Sequence, residues 1–412
     1  MRFAHLADVH LGFQRQEPLQ EIERRVFEGA VDRCIAEEVD FVLVCGDLFH
    51  VNIPDMRVQK MAMKKFHDMH DAGIPAYAVY GSHDFSPTSS SAIDLLEAAG
   101  YLRKVTVSSW VDDHIRLEYI QDERTGALIA GLSGLKAGRD MEYYERLDRE
   151  FLESANGFRI FLFHGAVGEM MQDEISGESL PLSYMPRGLD YYAGGHLHTF
   201  RNRRFPGYEN VVYPGTLFAG QTVDMEENAR GMGRGFVMVD FGDKVERVRF
   251  VEAPGCRYEL IDVDADGLAS EEAAARIRGI ADSIDADGKV VILKTYGELG
   301  SGRTADIDFS AIRKGLLQGG AYYVMIHRRG LTSKEYKTRG ESMGTREEIE
   351  RRTFQDSIAD VRIKRAALTG SRGVDLSTDL LAALRHPRPD NEKKVDYERR
   401  VTADATSKMG LE

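Results

Sequence analysis

The sequence predicts an α/β fold with a second, smaller α/β unit and a helical tail. Three observations carry this. Short apolar runs, FAHLA (3–7), FVLVC (41–45), AYAVY (76–80), RIFLF (159–163) and VVY (211–213), each end in a Gly- or Asp-rich turn. Runs of that length, rich in Val, Phe, Tyr and Ile, are the signature of buried strands. Amphipathic stretches separate the early runs, as in a chain that alternates strand and helix. A similar but shorter alternation begins again near residue 250.

Taken in order, EIERRVFEGAVDRCIAEE (21–38) and DMRVQKMAMKKFHDMH (55–70) carry apolar residues at helical spacing. The later strands lack long intervening helices, so the sheet is expected to be mixed. Residues 1–250 form the expected main domain. YELIDVDADG, the helix-like EEAAARIRGIADSI and KVVILKTYGE, followed by AIRKGLLQGG and AYYVMIHRR, predict a small α/β domain over 251–330. Beyond it the chain is highly charged. Helices are expected over 345–367 and 377–386, with TGSRG as a hinge and the polar end from PRPDNEKK onward disordered.

The 412 residues suggest two or three domains. The three cysteines, Cys34, Cys45 and Cys256, form neither a disulfide framework nor a CxxC metal pair. MRFAHLADVH has no apolar leader, and no window is long and apolar enough to cross a bilayer. The expectation is a cytoplasmic, nucleoid-associated protein with no membrane contact. A net charge of −13 means that any nucleic acid would be held by local basic patches or bound cations, not by the overall field.

The chemistry lies where strands end. ADVHLG brings Asp8 and His10, GDLFH brings Asp47 and His50, and GSHD brings His83 and Asp84. HG after RIFLF brings His164, and GGHLH brings His196 and His198. Open α/β sheets place ligand sites at the carboxyl ends of their strands. Each motif alone has a plain explanation as a polar turn; five together do not. His5, His67, His70, His114, His327 and His386 are left as core or surface histidines. Imidazoles and carboxylates suit divalent metals such as Mn, Fe and Zn, and the lack of thiolates argues against a closed structural zinc site. Two cations sharing a carboxylate can clamp a phosphate and activate a water.

DVH, GDLFH, GSHD, FHG and GGHLH, in this order, resemble the calcineurin-like metallophosphoesterases. That resemblance implies two mixed β-sheets sandwiched by helices. HLADVHLG, the histidine trailing GDLFH, and YPGTL after GGHLHT are similar to the DNA double-strand-break repair nucleases of the Mre-eleven/SbcD family. The resemblance implies two manganese ions per chain, one held by Asp8, His10, Asp47 and His198, the other by Asp47, Ser82, His164 and His196. His83 would stabilise the transition state or protonate the leaving oxygen, with Asp84 orienting its ring. His50 would assist exonucleolytic cleavage; the alternative is a loop histidine packed on Phe49.

Position 82 departs from the family, which usually has Asn there. The serine hydroxyl is shorter and a weaker donor. It ligates directly, holds a ligating water, or leaves the second site weak.

Basic residues follow the site. Arg201, Arg203 and Arg204 come directly after HLH and are expected to touch DNA; a solvated charged face is the alternative. Arg328 and Arg329, then Lys334, Lys337 and Arg339, form two further clusters. The resemblance implies a homodimer through helices such as 55–70, whose Met56, Met61, Met63, Phe66 and Met69 also suit ordinary core packing. It further implies that the C-terminal helices dock on a Rad-fifty/SbcC-type SMC-like ATPase, rather than on the chain's own body. The leading function is a manganese-dependent 3′–5′ exonuclease and single-strand endonuclease in break repair. The alternatives are a phosphodiesterase or phosphatase for small molecules or phosphoproteins, and an interaction module with a degenerate metal site.

Overall fold

The computed structural model describes residues 1–84, 91–134, 140–171, 179–253, 255–333, 345–360, 368–389, 392 and 394–409. They fall into two compact units, one of residues 1–265, 272–297 and 307–330, the other of 266–271, 298–306 and 331–412.

Two six-stranded mixed sheets build the first unit. One has the order β14 (Val245–Glu252), β13 (Gly235–Phe241), β1 (Arg2–Leu6), β2 (Phe41–Cys45), β3 (Ala76–Val79) and β4 (Arg103–Lys104). β1 to β4 run parallel, whereas β13 is antiparallel to β1 and to β14. The other has the order β11 (Arg201–Phe205), β12 (Tyr208–Tyr213), β10 (Tyr191–Gly195), β9 (Arg159–His164), β8 (Leu128–Leu132) and β7 (Ile120–Gln121). β8, β9, β10 and β12 are parallel, with antiparallel strands at both edges. A hairpin, β5 (Ser108–Val111) with β6 (His114–Leu117), stands apart.

The apolar runs are continuous because most of these strands are buried on both faces. Alternation sorts the faces. Phe3, Phe41, Leu43, Tyr77 and Val79 meet Ile160, Leu162, Tyr191, Ala193 and Val212 between the sheets. Ala4, Leu6, Val42, Val44 and Ala78 face the other way, onto helices. There α1 (Glu17–Ala36) lays down Leu19, Ile22, Val26, Phe27, Ala30 and Cys34 at helical spacing. α2 (Met56–Asp71) starts at Asp55, whose carboxylate accepts the Arg57 N–H at 2.8 Å. α3 (Ala92–Ala98) has a Ser91/Asp94 capping box. The outer face of the second sheet, through Phe161, Phe163, Tyr192 and Tyr213, packs on Tyr144 of α4 (Asp140–Glu145) and Leu152 of α5 (Arg149–Glu153). The layers are helix, sheet, sheet, helix.

A three-stranded sheet, β15 (Arg257–Asp264), β16 (Lys289–Leu299) and β17 (Tyr323–Ser333), carries α7 (Ser270–Ser283) and α8 (Phe309–Gln318). This is the small β-α-β unit expected after residue 250. Most of it falls in the same compact unit as residues 1–250, because Val290 and Ile292 join the core of α1 and the first sheet. Lys294 also pairs at 2.7 Å with Glu226 of α6 (Thr222–Ala229).

The second unit contains α9 (Arg346–Asp360), α10 (Gly370–Leu384) and α11 (Lys394–Lys408). Two expectations are corrected here. TGSRG is not a separate hinge: Gly370, at φ +58°, opens α10, and Ser371, Arg372 and Gly373 continue it. The polar end, expected to be disordered, carries α11. Arg400 there pairs with Glu392 at 2.9 Å, and the Tyr397 hydroxyl donates to the His386 carbonyl at 2.9 Å. Lys334, Lys337, Arg339 and the end of the helix expected over 345–367 lie outside the described residues.

Candidate active site

Loops after β1, β2, β3 and β10, together with the end of β9, converge on one cavity of about 190 Å³. Asp8, His10, Asp47, His50, Ser82, His83, His196 and His198 line it, and His164 sits just beneath. The five motifs of the sequence are therefore one site.

The backbone is bent to bring them together. Asp8, His10, Asp47 and His196 all have positive φ (49°, 49°, 50° and 98°). Among the described residues only four other non-glycine positions do so. Such conformations persist where surrounding structure forces them. Here the first two loops extend the sheet pairing: the Asp8 N–H donates to the Gly46 carbonyl, that of His10 to Asp47, and that of Leu11 to Leu48. Two motif glycines let the chains close in. A Cβ on Gly81 would overlap the Asp47 carboxylate, and one on Gly195 would overlap the Cys45 carbonyl. YPGTL is a buttress: the Thr216 hydroxyl donates to the Asp8 carbonyl at 2.7 Å, and its N–H to that of His198 at 3.1 Å.

The electrostatics call for positive charge. Asp8 and Asp47 are 1% and 3% exposed. Burial pushes the Asp8 carboxyl up. Burial also opposes the Asp47 charge, but His164, His10 and the His83 N–H together outweigh it and hold that carboxyl well below the usual range. His164 itself, despite burial, is lifted to about 10 by Asp47 and Asp8. His10 and His196 are instead driven by burial to about 3 and about 4, so they present neutral imidazole lone pairs.

The donors fit a divalent cation. The His164 Nδ1 is 2.9 Å from the Cys45 carbonyl, which can only accept, so Nε2 is the ring atom left for a ligand. That Nε2 is buried 3.3 Å from Asp47 Oδ2, yet makes no directed hydrogen bond. Candidate ligand atoms of Asp8, Asp47 and His164, and separately of Asp8, His10 and His198, lie within 4.8 Å of one another. Carboxylates and imidazoles without thiolates are donors for Mn, Fe or Zn.

Asp84 behaves differently from expectation. His83 lines the cavity, its N–H donates to Asp47 Oδ1 at 2.8 Å, and its ring stacks on His50 at 4.9 Å. Its Nδ1 points to the His50 carbonyl at 2.7 Å. Asp84 therefore does not orient the ring. Fully buried, it turns inward and accepts the N–H groups of Leu48, Phe49 and Gly81 at 3.0 to 3.2 Å. It ties the second loop to the third. Burial, and Asp47 nearby, push its carboxyl up to about 7.

His50 packs edge-on against Phe13 at 4.5 Å and lines the cavity. Ser82 is half-buried on the same wall.

The arginines after HLH are not one patch. They lie on β11, where alternation puts Arg201 and Arg203 on one face and Arg204 on the other. Arg201 is tied to the Met170 carbonyl and the Thr199 hydroxyl, and Arg204 pairs with Glu209 at 3.3 Å. Arg328 lies over the Phe309 ring at 5.4 Å.

Asp224 on α6 escaped the sequence reading. It lines the cavity, 4% exposed, with Oδ1 3.4 Å from His198 Nδ1. Its other oxygen accepts the Gln221 N–H at 3.0 Å, as a helix cap does. The Arg234 guanidinium, 3.6 Å from Asp224, also grips the His198 carbonyl. TVDMEEN reads as an ordinary helix start, so only the fold reveals this partner.

Several proteins resemble this chain. The "DNA double-strand break repair protein Mre11" of Archaeoglobus fulgidus is 25% identical over 334 residues, which are 76% of this chain and 72% of that protein. Proteins of the same name from Methanopyrus kandleri and Aeropyrum pernix are 29% and 30% identical. The first alignment covers 67% of this chain and 62% of the relative, the second 52% of each. Residues 1–200 match the calcineurin-like phosphoesterase family. Every strand-end motif from Asp8 to His198 falls inside that match, and those residues are a calcineurin-like phosphoesterase domain.

Proposed function

We propose that the chain is a two-metal nuclease that hydrolyses DNA phosphodiesters in double-strand-break repair, with manganese as its metal. The observation that carries this is the single cavity in which two buried carboxylates and a ring of histidines meet, in a chain similar over most of its length to Mre11 repair proteins. The 3′–5′ exonuclease and single-strand endonuclease activities follow the family resemblance.

Asp8, His10, Asp47 and His198 would hold one ion. Asp47, Ser82, His164 and His196 would hold the other, with Ser82 acting directly or through a water. When bound, the pair would activate a water and neutralise charge on the phosphate. The chain's own residues do the rest. Asp224 fixes the His198 ring so that its Nε2 faces the cavity. The His50 carbonyl holds His83 Nδ1–H and so fixes the ring; in its doubly protonated form that ring would give the Nε2 proton to the leaving oxygen. Asp84 keeps the second and third loops in register.

Two surfaces suit partners. Val51, Ile53 and Met56, at 45%, 66% and 74% exposed, form an apolar patch at the start of α2 and suit a second copy of the chain. Phe66 and Met69 are buried and serve the core. Ile349, Leu368 and Leu384 remain exposed in the C-terminal unit and suit an SMC-like ATPase.

The test is cleavage of end-labelled duplex DNA with manganese by the wild type, Asp47→Ala and His83→Ala. Metal-dependent release of label, lost in both variants, is expected. Hydrolysis of small phosphodiesters alone would favour the second assignment, a small-molecule phosphodiesterase, which the small cavity and the net charge of −13 favour.

A further inference from the structure

Glu23 is a buried carboxylate that the chemistry above leaves unused. It projects from the inner face of α1, among Leu19, Ile22, Val26 and Phe27, and is 5% exposed. Among the described residues it has no ion-pair partner. Its oxygens instead accept backbone N–H groups of the loop after β1, from Gly12 at 2.5 Å and from Gln14 at 3.1 Å. A buried carboxylate without a cation is costly and persists where its hydrogen bonds repay it.

That loop leads to His83 in three contacts. Gly12, at φ +85°, turns the chain so that Phe13 meets the His50 ring edge-on, with centroids 4.5 Å apart. The Leu11 carbonyl accepts the His50 N–H at 3.0 Å. The His50 carbonyl accepts from His83 Nδ1 at 2.7 Å. The Gln14 amide, donating to the Gly220 carbonyl at 2.8 Å, fixes the far end of the loop.

We propose that Glu23 is a positioning residue for the leaving-group proton donor, acting on His83 through the 11–14 loop and His50. The inference rests on the phosphodiesterase assignment. In that step a water oxygen bonds to phosphorus and releases its proton to solvent, the ester P–O bond breaks with its electron pair on the departing oxygen, and that oxygen takes the Nε2 proton of the His83 ring in its imidazolium form. The neutral ring left behind keeps Nδ1–H on the His50 carbonyl. Glu23 never touches substrate; it sets where Nε2 stands.

The experiment compares Glu23→Gln with the wild type, under saturating manganese, on two substrates. DNA leaves as an alkoxide that needs the proton. Bis(p-nitrophenyl) phosphate leaves as a stable phenolate that does not. The glutamine keeps the size of the side chain but turns an amide NH₂ toward a backbone N–H. On DNA, kcat is expected to fall about tenfold or more, with KM and manganese affinity unchanged. On the nitrophenyl ester it is expected to change by less than about threefold. Added to His83→Ala, the substitution is expected to cost nothing more on DNA. Equal losses on both substrates, a fall in manganese affinity, or no loss at all would overturn the inference while leaving an active wild type. A wild type inactive on both overturns the phosphodiesterase assignment and this inference with it. If Glu23→Gln does not fold, Phe13→Leu probes the next link, with the same selective loss expected and equal losses overturning the proposal.

Discussion

The strand-end cavity and the C-terminal helices handle charge in opposite ways. In the cavity the Asp8 and Asp47 carboxylates lie side by side, almost wholly removed from water, with the His164 ring 3.3 Å from Asp47. In the helices Arg351 pairs with Asp375, and Arg385 with Glu350, in the open. Isolated surface pairs contribute little to stability. Buried charges are costly even when they are paired. The first arrangement is built for chemistry at the expense of stability. The second asks little of its charges and leaves apolar side chains free for another surface.

Substitutions can break or sharpen that contrast. The largest effect is expected from Asp47→Ala, which abolishes phosphodiester hydrolysis and removes manganese binding by titration calorimetry. Retained binding at both sites would dissolve the contrast. His83→Ala should lower kcat by about 10²–10⁴-fold with manganese stoichiometry unchanged.

The third test is pH. Burial lifts the Glu23 carboxyl from its ordinary 4.5 to about 7. The folded state thus holds this proton more tightly than the unfolded chain. Its contribution is fully present below pH 4.5 and is lost as pH rises through 7. The loss amounts to about 3 kcal/mol. Denaturant titrations between pH 4.5 and 8 are expected to show that decline in the wild type and a flatter profile in Glu23→Gln.

Ser82→Asn should raise activity at limiting manganese, and an unchanged metal-titration curve would show that the hydroxyl is no handicap. The smallest stability change, within about 0.5 kcal/mol, is expected for Leu384→Ser at an exposed position. The same substitution is expected to weaken binding to the ATPase in pull-down, so that helix would be separable from folding.

The cavity was legible because its residues sit at strand ends, where a short motif fixes both residue and place. Legibility failed where contact does not follow sequence. Asp84 adjoins His83, but successive side chains diverge, and the carboxylate turned to the neighbouring loop. Arg201, Arg203 and Arg204 look like a cluster until strand alternation divides them. Asp224 and Glu23 read as a helix cap and an amphipathic helix residue, and the loop and ring that they hold are seen only in the fold. The C-terminal end was read from composition alone, which says nothing of the ion pairs that α11 makes.

The left-handed backbone at Asp8, His10, Asp47 and His196 has a consequence for how activity arises. Each such residue costs on the order of 1–3 kcal/mol and is held only by completed surroundings. The loops that supply those surroundings come from both sheets and are separated by up to 208 positions, as between Asp8 and Thr216. A nascent or half-folded copy therefore has the ligands in its sequence but not in space. The proposed activity therefore waits for both sheets to close around the site.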